Sequence, residues 1–230
     1  MIKRAALFTG LAMALARPAS AQETPMDAAH LAHAVDRLAV TGRVLYVAAH
    51  PDDENTRLIY TETIGNPRCN VDDLPAIAKV AHDHGLPFVL DNTVAAPPIV
   101  NPFELGADIV VYSLTKIIGG HGTAIGGAIV EGGAFDWSAG GKFPEITAPD
   151  PTYHGANFWE MLCSLEGGRP CSAFCTKVRT GLMRDIGATP SPFNSFLIIQ
   201  GLETLPLRAK AQCSTAQQVA QVLEALPAVA

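Results

Sequence analysis

From Leu58 onward, predicted strands alternate with predicted helices, and this alternation restricts the possible folds more than any other feature. Leu58 to Glu62 predicts a strand, and Val71 to His84 predicts a helix that Gly85 ends. The other predicted elements of this region are strands at Pro87–Asp91, Asp108–Ser113 and Gly126–Val130 and a short helix at Pro102–Gly106. This order indicates an α/β architecture with a mostly parallel sheet and flanking helices.

The segments on either side of this region have different patterns. Gly132 to Pro151 is rich in Gly, Pro and aromatic residues and predicts a long loop, after which helical patterns run from Tyr153 through Leu226. Nearer the N-terminus, Met26 to Val40 predicts a helix, and Arg43 to Ala49 predicts a short strand that enters a polar loop.

The composition indicates a globular protein with a small-molecule role. Of the 230 residues, 48% are hydrophobic and 17% are charged, so the chain can bury a core. The formal net charge is −6, and no run of Lys or Arg supplies the basic surface that nucleic acid or an anionic membrane requires. We therefore expect a small-molecule substrate and neither a nucleic acid partner nor a membrane partner.

The N-terminus has the three regions of a secretory signal peptide. Lys3 and Arg4 precede the apolar stretch Ala5 to Ala16, and the small residues Ala19 to Ala21 precede Gln22. The apolar stretch is too short to span a bilayer. Residues 1–21 are thus predicted to be a leader for export, and an ordinary amphipathic N-terminal helix is the alternative.

The cysteines do not indicate a disulfide framework, because there are five of them at irregular spacing. Three residues separate Cys171 from Cys175. On a helix, two cysteines at this spacing lie on the same face and could bind a metal. No second pair follows at zinc-finger spacing. We therefore predict thiols at all five positions, which are Cys69, Cys163, Cys171, Cys175 and Cys213.

Lys116 is preceded by two residues with hydroxyl side chains, Ser113 and Thr115. A glycine-rich turn that ends at Gly122 follows it. Hydroxyls and free backbone N–H groups can hold a phosphate, while a desolvated lysine loses its proton and can attack an aldehyde. Asp91 ends the preceding strand and could stabilise a protonated pyridine nitrogen. The tetrapeptide alone is common in solvated turns.

Four ordered motifs give Lys116 a wider context. They are Glu62–Pro67, Val89–Thr93, Gly106–Gly122 and Phe135–Trp137. Together they resemble the cysteine and methionine metabolism family of fold-type I pyridoxal-phosphate enzymes. Further segments resemble its O-acetylhomoserine sulfhydrylases, namely Gly141–Pro144, Pro149–Gly155, Ser191–Ser195 and Gln200–Leu205. The resemblance implies that residues 58–230 form part of a large domain of that fold.

The resemblance also implies roles for five residues. Lys116 would form a Schiff base with pyridoxal phosphate and move protons, and Asp91 would pair with the pyridine nitrogen. Ser113 and Thr115 would hold the phosphate, and Asn66 would lie near the phenolic oxygen and the substrate carboxylate. The implied reaction replaces the acetate of O-acetylhomoserine by a sulfur nucleophile, giving homocysteine or methionine. A cytoplasmic homo-oligomer acting on an amino acid is implied as well.

Other side chains near these motifs have simpler interpretations. His121 lies within the glycine-rich turn, where a histidine more often bonds the backbone or packs than acts in catalysis. Trp137 and Tyr153 are predicted to pack in the core.

The family pattern is incomplete in this sequence. A Tyr-x-Arg segment, a glycine-containing phosphate loop and a ring-stacking tyrosine are not recognisable before Leu58, and the small C-terminal domain with its carboxylate-binding arginine is expected to be absent. Impaired activity is therefore expected. An alternative is an inactive fragment that associates with full-length sulfhydrylase subunits.

The segment Arg43 to Arg57 resembles the start of an LmbE-like zinc N-acetylglucosamine deacetylase. That resemblance implies His50 and Asp53 as metal ligands and Asp52 as the general base. A catalytic zinc usually has three protein ligands, and the later histidine motif is not visible, so a plain polar loop is favoured over a metal site. Residues 22–57 are predicted to be a deacetylase-like fragment joined to the second family near residues 55–58, and a zinc-dependent deacetylase of N-acetyl sugars remains the alternative function.

Overall fold

The structure is a computed structural model that describes residues 45–46, 57–66, 68–163 and 171–228. The predicted leader at residues 1–21 and the predicted helix Met26–Val40 lie outside the described residues, as do His50, Asp52 and Asp53. The predicted strand Arg43–Ala49 is described only at Leu45–Tyr46.

Within the described residues, the strands form a five-stranded sheet in which they follow one another in sequence order. The first pair is antiparallel, whereas the second, third and fourth strands run parallel to one another. Register is fixed by pairs such as Glu62 with Asp91 and Asp91 with Val111. The strands are β1 (Leu45–Tyr46), β2 (Ile59–Glu62), β3 (Phe88–Asp91), β4 (Ile109–Ser113) and β5 (Gly127–Glu131).

The central strands are buried because their sequences are continuously apolar. Phe88 and Leu90 of β3 and Val110 of β4 are fully buried, as expected for parallel strands covered on both faces. Thr61 is the polar exception in β2. Its hydroxyl donates to Asp72 Oδ2 at 3.0 Å, which satisfies a side chain that would otherwise be costly to bury.

Helices account for most of the remaining described residues. The α-helices are α1 (Leu74–Asp83), α2 (Pro144–Thr147), α3 (Phe158–Leu162), α4 (Ala173–Val178), α5 (Arg184–Ile186), α6 (Pro192–Glu203) and α7 (Leu205–Glu224). A π-helical segment, Arg179–Met183, joins α4 to α5. Short 3₁₀ segments occur at Pro102–Leu105, Ala139–Gly141 and Pro151–Tyr153.

Side-chain caps explain where several helices begin. Asp73 accepts a hydrogen bond from the Ala76 N–H at 3.1 Å, so α1 begins at Leu74 rather than at the predicted Val71. The predicted loop 132–151 is also wrong in part, because Pro144 begins the short helix α2 there.

The described chain divides into two compact units. The first unit contains the residues up to Asp91 together with Pro102–Val111 and Ile129–Thr189. Its core combines strand residues with an aromatic cluster in which Trp137 stacks on Phe174, with ring centroids 5.2 Å apart. Phe143 meets Trp137 edge to face at 5.1 Å. This unit therefore has an apolar interior of its own.

The second unit contains Asn92–Asn101, Tyr112–Ala128 and the residues from Pro190 onward. Its core is smaller and consists of Ala96, Ile118, Ile198 and Leu205, with Tyr112, Leu114, Ile117 and Ala124 packed around them. Helices α6 and α7 contribute Ile198 and Leu205 to this core. The turn that follows Lys116, called the lysine turn below, thus packs against a core to which α6 and α7 contribute.

The cysteine prediction needs a correction. Cys163 and Cys171 form a disulfide with Cα atoms 4.5 Å apart, so only Cys69, Cys175 and Cys213 are thiols. Cys163 follows α3 and Cys171 precedes α4, and the approach of these two helix ends is a tertiary feature that residue spacing does not reveal.

Over the described ranges, no helix combines the length and the apolar character needed to cross a membrane.

Candidate active site

Asp91 ends strand β3 in the first unit and is partly buried. Its carboxylate accepts a hydrogen bond from the Tyr60 hydroxyl at 3.2 Å, and its carbonyl accepts one from the Thr63 N–H at 3.0 Å. Burial and the neighbouring Asp91 carboxylate raise the pKa of Tyr60 well above its usual range. Tyr60 therefore remains protonated and orients the Asp91 carboxylate.

Asn66 lies in the loop after β2, in the same unit, and is exposed. Its backbone N–H donates to Glu62 Oε2 at 3.0 Å. The loop turns back on itself, since the Gly65 N–H donates to the Asn70 carbonyl at 2.8 Å. A Cβ at Gly65 would lie 2.3 Å from the Asn70 side chain, so a larger residue there would have to displace that side chain.

Ser113, Thr115 and Lys116 belong to the second unit, at and after the end of β4. The Ser113 N–H donates to the Thr93 hydroxyl at 2.8 Å, which ties the strand end to the segment after β3. The chain then turns, with the Lys116 N–H donating to the Ser113 carbonyl at 3.1 Å and the Gly120 N–H to the Lys116 carbonyl at 2.8 Å. Lys116 is thus held at a backbone turn of defined shape.

The Thr115 hydroxyl closes a loop of the second unit. It donates to the Gly126 carbonyl at 3.2 Å and accepts from the Gly126 N–H at 3.1 Å. A hydroxyl has one donor hydrogen, so this side chain has none left for a phosphate while the Gly126 bond is made. The predicted phosphate role of Thr115 therefore requires that bond to open.

Lys116 and Ser113 are free to bind a ligand. Lys116 is exposed and Ser113 is partly buried. Within the described part of the chain, neither the Lys116 amine nor the Ser113 hydroxyl has a hydrogen-bond partner. The donor set fits a phosphorylated aldehyde, because a hydroxyl can bond the phosphate and an amine can attack the carbonyl carbon.

Other predicted residues take the simpler roles assigned to them. The His121 ring Nδ1 lies 2.7 Å from the Gly119 carbonyl, which confirms the prediction of a backbone contact. Trp137 is 3% exposed and donates from Nε1 to Glu131 Oε1 at 3.1 Å. Tyr153 packs edge to face on Phe158.

Tyr60 and Thr93 were missed by the sequence reasoning. Each hydrogen-bonds a predicted site residue that is distant in the sequence. Thr93 ends the motif Val89–Thr93, but no role was assigned to it, and for Tyr60 the only signal was its position in a predicted strand.

No metal site appears in the residues whose positions are described, since no group of three or more His, Cys, Asp or Glu side chains could hold an ion there. The alternative ligands His50 and Asp53, with Asp52 as base, lie outside those residues.

The parallel strands β2, β3 and β4, which alternate with helical segments along the chain, define an α/β protein. The model of the family "Cys/Met metabolism PLP-dependent enzyme" matches residues 37–230, and the chain belongs to this family. The match begins earlier than the expected boundary near Leu58, within the segment 22–57.

Individual relatives agree with the family match. An O-acetyl-L-homoserine sulfhydrylase of Leptospira meyeri is 48% identical over 178 residues, which cover 77% of this chain and 40% of that protein. A homocysteine synthase of Schizosaccharomyces pombe is 47% identical over 179 residues, covering 77% and 40% of the two chains. This chain therefore spans about 40% of the length of these relatives.

A solved structure shows the same fold. A protein of Campylobacter jejuni, described as an O-acetylhomoserine (thiol)-lyase with N′-pyridoxyl-lysine-5′-monophosphate, matches with a TM-score of 0.68 and 35% identity. The match covers 77% of this chain and 42% of the other. The described residues thus form part of a fold-type I pyridoxal-phosphate enzyme, as the sequence predicted.

Proposed function

We propose that this chain carries the cofactor-binding part of an enzyme that exchanges the acetate of O-acetylhomoserine for a sulfur nucleophile, giving homocysteine or methionine. The observation that carries the proposal is that the Lys116 amine, in the turn after β4, has no hydrogen-bond partner among the described residues of a chain of this family. The names of the relatives support the reaction type. The proposal includes an amino-acid substrate, a homo-oligomeric assembly and a cytoplasmic location.

Lys116 has two tasks in this proposal. Its Nζ would hold pyridoxal phosphate at the aldehyde carbon, and the cofactor supplies an electron sink when it is bound. The same Nζ would take up and return protons at the substrate carbons. Exposure of Lys116 supports both tasks, because the amine must meet a ligand that enters from solvent.

Asp91 and Asn66 would serve the ring of the cofactor. The Asp91 carboxylate would face the protonated pyridine nitrogen. The hydrogen bond from the Tyr60 hydroxyl to Asp91 Oδ2 would hold the carboxylate in one orientation. Asn66, exposed on its loop, would lie near the phenolic oxygen and the substrate carboxylate. Tyr60 therefore joins the proposed site residues, and it would act on Asp91 rather than on the ligand.

Ser113 would be the main hydroxyl ligand of the phosphate. Its Oγ has no partner within the described residues, whereas the Thr115 hydroxyl donates to the Gly126 carbonyl. Thr115 would join Ser113 at the phosphate when its bond to Gly126 opens, and its own N–H offers a second donor.

The test is cofactor attachment in the full chain. We expect pyridoxal phosphate to give a visible absorption band, and borohydride should fix a pyridoxyl group on Lys116 that peptide mapping locates. Lys116→Met should lose the band, and any sulfhydrylation of O-acetylhomoserine should fall by roughly 10²- to 10⁴-fold, the usual contribution of a proton-transfer residue.

Lys210→Met is the matched control, because Lys210 is an exposed lysine of α7 outside the proposed site. It should keep both the band and the activity. A wild-type protein that is folded and shows no band with the cofactor would contradict the proposal.

A further inference from the structure

The turn that follows Lys116 is held by a side chain from helix α7. Arg208, in the first turn of α7, donates from Nη1 to the Ile117 carbonyl at 2.7 Å and from Nη2 to the Ile118 carbonyl at 3.0 Å. These are the two carbonyls directly after Lys116, about 90 residues away in the sequence. Both residues of the contact belong to the second unit.

The same guanidinium is anchored at the end of helix α6. Nη2 also donates to the Gly201 carbonyl at 2.6 Å, and Nε donates to the Thr204 hydroxyl at 3.0 Å. The last carbonyls of a helix lack partners within it, so Gly201 gains a donor that α6 itself does not supply. The planar, rigid fork of Arg208 can bond the helix end and the turn at the same time.

Close backbone packing around this contact leaves little room for movement. A Cβ at Gly201 would lie 2.0 Å from the Gly119 carbonyl oxygen, and a Cβ at Gly120 would lie 2.3 Å from Arg208 Nη1. Below the turn, Ile118 is buried against Ile198 of α6. The backbone after Lys116 is therefore constrained by the guanidinium, by α6 and by an apolar core.

We infer that Arg208 is a positioning residue, which fixes the backbone after Lys116 and so sets the direction from which the Lys116 amine meets the cofactor's aldehyde. The inference rests on the proposed function of Lys116. Arg208 acts through the carbonyls of Ile117 and Ile118 and touches neither cofactor nor substrate in this role. A lysine at this position keeps the charge but cannot reproduce the fork.

The first measurement needs no cofactor. Amide hydrogen exchange would be measured at Gly119 and Gly120 in the wild-type chain and in the variants Arg208→Met and Arg208→Lys. The Gly119 N–H donates to the Leu114 carbonyl, and the Gly120 N–H donates to the Lys116 carbonyl. We expect both variants to exchange there roughly tenfold faster, because loss of the charge-assisted bonds favours local opening. Lys210→Met removes one charge from the same helix and should leave these rates unchanged.

The second measurement uses limiting pyridoxal phosphate and borohydride trapping. Mass spectrometry gives the ratio of pyridoxyl groups on Lys116 to those on Lys79, an exposed lysine of α1. In both Arg208 variants this ratio should fall about tenfold. A purely structural role would lower the stability without changing the ratio in folded protein, and Lys210→Met should again match the wild type.

The outcomes separate this inference from the proposed function. Folded Arg208→Met and Arg208→Lys proteins with unchanged exchange and an unchanged ratio would overturn the inference. If neither variant folds, Thr204→Val decides, since it removes the acceptor of Nε at similar shape and should change both quantities about threefold; no change would overturn the inference. A wild type without any pyridoxyl group on Lys116 would overturn the proposed function and the cofactor role of Arg208 with it, whatever the exchange rates show.

Discussion

At the scale of single residues, Asp150 illustrates how hydrogen bonds and an ion pair stabilise a carboxylate that burial alone would destabilise. Its side chain is 5% exposed and accepts from Lys177 Nζ and from the Thr152 hydroxyl and N–H. These bonds, with that from Lys177 first, lower the pKa of Asp150 from 3.8 to about 2. The carboxylate form is thus favoured by folding.

Asp150→Asn should therefore reduce the free energy of unfolding at pH 7 by about 1 to 2 kcal/mol. Because the folded pKa is depressed, the contribution is present above about pH 4 and is lost as the pH falls toward 2. Wild-type and variant stabilities should converge over that range in urea titrations. Asp83→Asn breaks the exposed pair with Lys79 and should cost less than about 0.5 kcal/mol at any pH.

A single residue could be predicted from the sequence only where its chemistry is local. Lys116 could be proposed as a site residue because its hydroxyl neighbours and glycines are adjacent in the chain. Tyr60, Thr93 and Arg208 could not, because each reaches the site across about 20 to 90 residues. Their contacts depend on strand pairing and helix packing, which no local pattern records.

At the scale of elements, Gly201 allows α6 to pack closely against the lysine turn, because it has no side chain. Gly201→Ala would place a Cβ 2.0 Å from the Gly119 carbonyl oxygen, so the helix or the turn must shift. We expect a loss of about 1 to 3 kcal/mol in the free energy of unfolding, measured by far-ultraviolet circular dichroism in urea.

The matched control is Gly181→Ala in the π-helical segment, where an added Cβ meets nothing within 4 Å. Alanine should be neutral there or stabilise by up to about 1 kcal/mol, because it reduces the freedom of the unfolded chain. Equal effects of the two substitutions would show that the Gly201 contact is not close in solution.

Element positions followed well from the sequence where apolar runs are long. The predicted strands β2, β3 and β4 begin one residue earlier than in the structure, and the predicted β5 is shifted by one residue at both ends. The region 132–151 was predicted less well, since α2 has four residues and leaves no detectable periodicity. Element bounds depend on caps such as Asp73, which a pattern of apolar residues does not specify.

At the scale of the whole molecule, the number and the reactivity of the free thiols test the structure. Cys69 and Cys213 are exposed thiols, and Cys163 is bonded to Cys171. Burial, and then the nearby Glu131 carboxylate, raise the pKa of Cys175 to about 11 from 9.0. The five cysteines should therefore fall into three classes of reactivity.

We expect a chromogenic disulfide reagent at pH 8 to titrate two thiols rapidly and a third about a hundredfold more slowly, in line with its smaller thiolate fraction. Reduction and desalting should add two more. Five thiols before reduction would show that the Cys163–Cys171 bond is absent in the purified protein. The pairing could not be deduced from the sequence, because connectivity is a property of the folded chain.

Both tryptophans of the chain lie in the first unit, Trp137 sealed against Phe174 and Trp159 packed at the edge of the same cluster. Tryptophan fluorescence, excited at a wavelength that tyrosine does not absorb, is therefore a signal from the first unit alone and does not report on the unit that carries Lys116. A pyridoxal chromophore on Lys116 would absorb at longer wavelength and would report on the cofactor's attachment. Two wavelengths would thus follow cofactor attachment and the tryptophan cluster of the first unit in one sample.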